Sequence, residues 1–381
     1  MARPSGYSTS ANIPKTLLLA AYFAPECQLD YENFVQEFLS LAKTAKIPAD
    51  AIFKVKMRKM VSAFFLTKGK LAEVSSICQA QEIKRIVCAL KLSTLQKRNL
   101  EDLTSCQILD RSDLILDIFR QAATSAEGRL QVKMAEVELL RTRLTGIGEQ
   151  LGQQQAGAMA RGPGETHKEY VKRFFKKVFA QAKKELEDLQ KTRNVQRERR
   201  VGTNKPIFAI VGYTNAGKSS LLNALTGSQA VVEDKLFATL DTTTRELFVD
   251  LNLRVLISDT IGFISNIPHN LIAAFKSTLD ELRYADYLLH VIDVANPAWL
   301  DQLGVVNRTL EEIDVIKPMV YVFNKSDQLT AAKVATLQRQ IEFAGLKPYL
   351  FVSAKLKSNL SNLKQLLRDL VSENPKFDRK R

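Results

Sequence analysis

Gly212-Tyr-Thr-Asn-Ala-Gly217-Lys218-Ser219 is the stretch whose reading decides the fold, and it satisfies the spacing G-x-x-x-x-G-K-[ST]. An apolar run, Pro206 to Val211, leads straight into it, and a helical segment, Ser219 to Leu225, follows. Strand, glycine-rich turn and helix in that order make a phosphate-binding loop. Its backbone N–H groups wrap phosphate oxygens, and the helix N-terminus adds positive potential. Lys218 is suited to pair with the outer phosphates and Ser219 to ligate Mg2+. Tyr213, Thr214, Asn215 and Ala216 inside the loop, and Ser220 on the first helical turn, complete the phosphate-facing set.

Further apolar runs follow at Arg254 to Ser258, Tyr287 to Ile292, Met319 to Phe323 and Pro348 to Val352, with helical segments between them. That alternation predicts a doubly wound nucleotide-binding sheet. Short motifs stand just after three of the runs. Asp259-Thr260-Ile261-Gly262 is a D-x-x-G: Asp259 would hold Mg2+ through water, and the Gly262 N–H would sense the terminal phosphate. Asn324-Lys325-Ser326-Asp327 is an N-K-x-D, whose Asp327 carboxylate accepts from both N1–H and the 2-amino group of guanine. Adenine offers neither donor, so the wrong base would leave a buried charge unpaired. Ser353-Ala354-Lys355 supplies N–H groups for the guanine O6. The set predicts a GTP-binding and GTP-hydrolysing enzyme.

A switch threonine for Mg2+ must lie between the phosphate loop and Asp259; Thr239, Thr242, Thr243 and Thr244 are the candidates. Many GTPases place a water-orienting glutamine after D-x-x-G. Here Phe263 occupies that position, which predicts slow intrinsic hydrolysis. Asn215 stands where related GTPases hold K+, so K+ is a further candidate cofactor.

The amino-terminal part reads differently. Thr16 to Phe23, Ala63 to Leu66 and Arg85 to Ala89 are short apolar runs. Helical patterns lie at Tyr31 to Ala45, with Phe34, Phe38 and Leu41 in phase, and at Gly69 to Gln81. A small parallel α/β sheet is expected. Next, Leu130, Met134, Val137, Leu140 and Leu144 follow helical spacing, as do Tyr170, Phe174, Val178, Ala182, Leu186 and Leu189. Two such helices make an antiparallel hairpin. Its loop, Thr145 to Glu165, holds six of the chain's 16 glycines. The expected fold class is therefore α/β, a P-loop GTPase domain (201–381) preceded by a small α/β domain (1–121) and a helical hairpin (122–200).

At 381 residues, 45% hydrophobic and 25% charged, the chain is neither disordered nor fibrous. Its net charge of +14 is concentrated: residues 161–205 carry +8, residues 1–160 carry +5 and residues 206–381 carry +1. Such a basic segment points to an anionic partner. No apolar run approaches the length of a membrane span, so no membrane insertion is expected. Four cysteines without a C-x-x-C pair and three histidines predict free buried thiols in a reducing cytoplasm, not zinc or disulfides. A monomer is expected. A second reading is a GTP-dependent switch whose basic helix, Tyr170 to Leu189, binds a protein partner or an anionic membrane surface.

Taken together, the motifs resemble the HflX family of translational GTPases. The likeness rests on the phosphate loop, Phe237-Ala-Thr-Leu-Asp241, Asp259-Thr-Ile-Gly-Phe-Ile264 and Ile267-Pro-His-Asn-Leu-Ile-Ala-Ala-Phe275. Leu92 to Glu101, Asp110 to Phe119, Glu127 to Val132 and Arg161-Gly-Pro-Gly-Glu-Thr166 extend it to about residues 14–375. The resemblance implies that Thr239 is the switch ligand of Mg2+, within a nucleotide-contacting segment Phe237, Ala238, Thr239, Leu240 and Asp241. Lys218, Thr239 and Gly262 would then act on the reacting phosphate. It also implies binding to the large ribosomal subunit and its rRNA, with the hairpin loop near the peptidyl-transferase centre. Ribosome splitting or late subunit assembly would be the outcome. The chain departs from the family at His167-Lys168-Glu169, where Gln-Leu-Glu is usual, and at Thr242, where proline is usual.

Overall fold

The computed structural model describes residues 14–154, 173–189, 205–227, 236–237, 243–251, 253–268 and 281–377. Two compact units are present, one of Met1–Glu26 with Tyr31–Ile115 and one of Cys27–Asp30 with Leu116–Arg381.

The first unit is built on a four-stranded parallel sheet of order β2-β1-β3-β4. Strand β1, Thr16–Tyr22, lies inside the sheet, and six of its seven residues are buried. A strand covered on both faces reads as a continuous apolar run, which is why it was legible. Helix α1, Tyr31–Thr44, buries Phe34, Phe38 and Leu41. Strand β2, Ala51–Lys56, escaped the sequence reading, because Lys54 and Lys56 interrupt the apolar pattern of this edge strand. Ala63 to Leu66 is not a strand: Val61 and Phe65 form an isolated bridge whose buried Phe65 and Leu66 anchor a turn. Helix α2 spans Lys68–Ala80 and strand β3 spans Arg85–Cys88. Helix α3, Thr94–Thr104, begins at a capping box of Ser93 and Gln96. Strand β4, Gln107–Leu109, has three residues, too few for a periodicity to register. Cys78, Cys88 and Cys106 are buried free thiols, and Cys27 is half-buried.

Helix α4 spans Arg111–Ala122, its residues from Leu116 onward belonging to the second unit, and helix α5, Ala126–Gln154, follows. α5 runs on through Thr145 to Gln154, into the segment expected to be loop. Gly146, Gly148 and Gly152 weaken a helix by about 1 kcal/mol each relative to alanine, but Glu149, Gln150, Leu151, Gln153 and Gln154 favour it. A further helix, α6, covers residues 173–189, with Ala182 and Leu186 buried. The Arg161 to Thr166 motif lies outside the described residues. No helix among the described residues is long and apolar enough to cross a membrane.

A six-stranded sheet of order β10-β9-β8-β5-β7-β6 forms the rest of this unit. β5 (Ile207–Gly212), β7 (Arg254–Asp259), β8 (Tyr287–Asp293), β9 (Met319–Asn324) and β10 (Tyr349–Phe351) are parallel. β6, Thr243–Phe248, closes one edge antiparallel to β7 and was not foreseen, since only Leu247 is buried along it. Phe208, Ile210, Val255, Ile257, Leu289, Val291, Val320 and Val322 form the core of one face with Leu363 and Leu367 of the last helix, Leu360–Ser372. The chain leaves β5 towards β6 and β7 on one side, and later fills β8, β9 and β10 on the other. Such a reversal of strand order opens a crevice at the carboxyl ends of the strands. The motifs lie at those ends.

Candidate functional site

The phosphate loop joins β5 to helix α7, Lys218–Thr226. Two of its backbone groups and one side chain bind the D-x-x-G segment or its neighbours. The Thr214 N–H donates to Phe263 O at 2.7 Å, and the Phe263 N–H donates to Gly212 O at 3.2 Å. The Ser265 N–H donates to the Tyr213 phenol oxygen at 2.8 Å. Phe263 thus contributes its backbone while its ring is buried. Residue order does not encode this bridge, and nothing in the sequence reading anticipated it.

Lys218 is buried, and its Nζ donates to Gly212 O at 3.1 Å and Tyr213 O at 2.8 Å. Burial lowers its pKa to about 8, opposed by the nearby Asp259 carboxylate. A bound phosphate would raise that value again, so nucleotide binding above pH 8 must take up a proton. Affinity should then fall with rising pH, by up to about tenfold per unit. Calorimetric GDP titrations in buffers of different ionisation enthalpy should show most of one proton taken up at pH 8.5 and only about a tenth of one from this group at pH 7. Equal heats in the two buffers at pH 8.5 would contradict the assignment.

Ser219 Oγ donates to Asp259 Oδ2 at 2.6 Å. A hydroxyl and a carboxylate converge at the end of the phosphate loop, a hard-oxygen pair whose chemistry fits Mg2+. Beside it, Thr260 Oγ1 donates to Ile210 O at 2.6 Å, which turns this side chain towards β5. Ile261 is buried, Ser220 is half-buried and Asn215 is exposed in a left-handed conformation.

On the base side, Asn324 is a buried clamp. Its Nδ2 donates to Ala216 O at 2.9 Å and its Oδ1 accepts from the Ala354 N–H at 3.0 Å, tying the phosphate loop to the Ser353–Lys355 loop. Lys325 Nζ pairs with Asp293 Oδ2 at 2.7 Å. Asp327 has an exposed side chain and accepts from Ser353 Oγ at 2.6 Å. Lys355 is exposed beyond buried Ala354. The two base-side segments and the phosphate loop therefore meet at one place.

Of the switch candidates, Thr243 and Thr244 belong to β6, paired with Asp259 and Ser258. Phe237 is buried and sets its ring edge-to-face on Phe119, with centroids 4.7 Å apart. Ala238, Thr239, Leu240, Asp241 and Thr242 lie outside the described residues. One group was missed. His290 on β8, paired with Val211 and buried, is held neutral, its pKa pushed down to about 3 by burial and then by Lys218. Its place in an apolar run gave no signal.

Three protein-family models match the chain: GTP-binding GTPase N-terminal over residues 32–120, GTP-binding GTPase Middle Region over 122–200, and 50S ribosome-binding GTPase over 207–325. A curated GTPase HflX of Caldanaerobacter subterraneus subsp. tengcongensis is 41% identical over 361 residues, 94% of this chain and 81% of the relative. The GTPase HflX of Escherichia coli is 39% identical over 316 residues, 83% of this chain and 74% of the relative. Among solved structures, the complex of SsGBP with GDP superposes with a TM-score of 0.50 at 25% identity, over 93% of this chain and 98% of that one.

Proposed function

The chain belongs to the GTPase HflX family, and from that premise we propose that it docks on the large ribosomal subunit in its GTP-bound state and splits or remodels ribosomes. It binds and hydrolyses GTP, as the family does. The observation that carries the ribosomal reading is the charge map. The nucleotide-binding part, residues 206–381, is nearly neutral at +1, whereas residues 161–205 carry +8. A nucleotide site needs few lysines, so the excess is there for a larger polyanion, and rRNA phosphates suit it.

In this reading 1–121, 122–200 and 201–381 are the working segments. Gly212 to Ser220 hold the phosphates, Asn324, Lys325, Asp327 and Ser353 to Lys355 hold the base, and Phe237 to Asp241 with Asp259 to Gly262 report the terminal phosphate. Ser219, Thr239 and Asp259 would hold Mg2+, which would supply positive charge against the phosphates. Asn215 would hold K+. The free thiols suit a cytoplasmic setting.

The test is sedimentation of the full chain with purified large subunits at modest salt. Co-migration with a non-hydrolysable GTP analogue, weakened with GDP and lost steeply as salt rises, is expected. Absence of co-migration in the analogue-bound state would sink the proposal.

A further inference from the structure

Phe263 leaves the hydrolytic step without the usual water-orienting side chain. The residue is 2% exposed, and the backbone bonds to Gly212 and Thr214 hold it there. A buried phenyl ring neither accepts from nor donates to water. On the other strand of the bridge Tyr213 pairs with Phe263, and the next residue, Thr214, donates its N–H to Phe263 O.

Thr214 is 6% exposed, and its Oγ1 is buried without a hydrogen-bond partner among the described residues. Neighbouring hydroxyls are satisfied: Thr260 by Ile210 O, Ser219 by Asp259 and Ser353 by Asp327. A buried hydroxyl left unpaired is destabilising and calls for an explanation, such as a partner that arrives with a ligand. The location supplies one. A Cβ placed on Gly262 would stand 2.8 Å from Thr214 Cγ2, 3.0 Å from Thr214 Cα and 3.0 Å from Lys218 Nζ. The Thr214 methyl and Cα thus crowd the D-x-x-G glycine from one side, and the phosphate-loop lysine approaches the same glycine from another.

We propose that Thr214 is a catalytic residue, its hydroxyl accepting a hydrogen bond from the attacking water and donating one to a terminal-phosphate oxygen. This rests on the GTP-hydrolysis reading of the site. In the step, the water oxygen bonds to the γ-phosphorus and the bond from that phosphorus to the β,γ-bridging oxygen breaks. The electron pair leaves on GDP, and a water proton ends on the inorganic phosphate. The threonine hydroxyl returns unchanged. Its contribution is orientation of the nucleophile, the task of the missing glutamine.

Thr214→Val keeps the branched shape and removes the hydroxyl; Thr214→Ser keeps the hydroxyl and removes the methyl. Single-turnover GTP hydrolysis, GDP affinity and nucleotide-free melting temperature are measured for both in the full chain. Thr214→Val is expected to slow hydrolysis about 10- to 100-fold. Its GDP affinity should stay within about twofold, and its melting temperature should not fall, because the buried unpaired hydroxyl is gone. Thr214→Ser should hydrolyse within about threefold of the parent. Thr214→Val hydrolysing at the parent rate, or Thr214→Ser being equally slow, would overturn the proposal. A parent protein that does not hydrolyse GTP would instead sink the reading on which it rests.

Discussion

Asp327→Asn is expected to transfer the base preference from guanine to xanthine. In the structure Asp327 Oδ1 accepts from Ser353 Oγ at 2.6 Å, which fixes the carboxylate beside the loop that follows β10. Asparagine can keep that acceptor with its amide oxygen. The second carboxylate oxygen becomes an NH2 group, a donor where an acceptor stood. Guanine presents its own 2-amino donor there, so donor meets donor and both lose a partner. Xanthine carries a carbonyl at that position and accepts. GTP affinity should fall by roughly 1000-fold, about 4 kcal/mol, with XTP bound more tightly than GTP. Competition titration of the variant with GTP and XTP checks this, and retained preference for GTP would remove Asp327 from the base site.

Gly212→Ala should have the largest effect on folding. Gly212 ends β5 with φ of 151° and pairs with Val291 of β8. A Cβ there would lie 2.2 Å from Val291 O and 3.2 Å from Val291 C. Both atoms are backbone in the middle of the sheet, and Val291 is itself fully buried. No rotamer change relieves such an overlap; β5 and β8 must part within the buried core of this unit. A loss of about 3–5 kcal/mol is expected, lowering the melting transition of this unit by roughly 10 °C. Nucleotide binding should weaken with it, since Gly212 O also receives Lys218 Nζ and the Phe263 N–H. Thermal denaturation with a variant melting within about 2 °C of the parent would show that the strands can yield.

Central and edge strands differed in how far they could be read. β1 and β5 are covered on both faces, and their uninterrupted apolar runs announce them. β2 and β6 are edge strands whose apolar residues are interrupted by lysine, or by arginine and glutamate, so neither shows as a run. α5 extends past Thr145 although three glycines follow, because the residues between them favour helix and nothing there breaks the hydrogen-bond ladder.

Residue order alone was enough for the fold class, the nucleotide-binding character and the guanine motifs. Those properties depend on residue type at fixed spacing along one strand, turn or helix, which a linear pattern records. What only the folded chain decides is how separate motifs lean on one another. Asn324 spans from Ala216 to Ala354, over separations of 108 and 30 residues. Phe263 clamps Gly212 and Thr214 through its backbone, and a phenylalanine's N–H and C=O carry no trace of their partner in the sequence. The unpaired hydroxyl of Thr214 is legible only there, because burial and the absence of a partner are properties of packing in three dimensions.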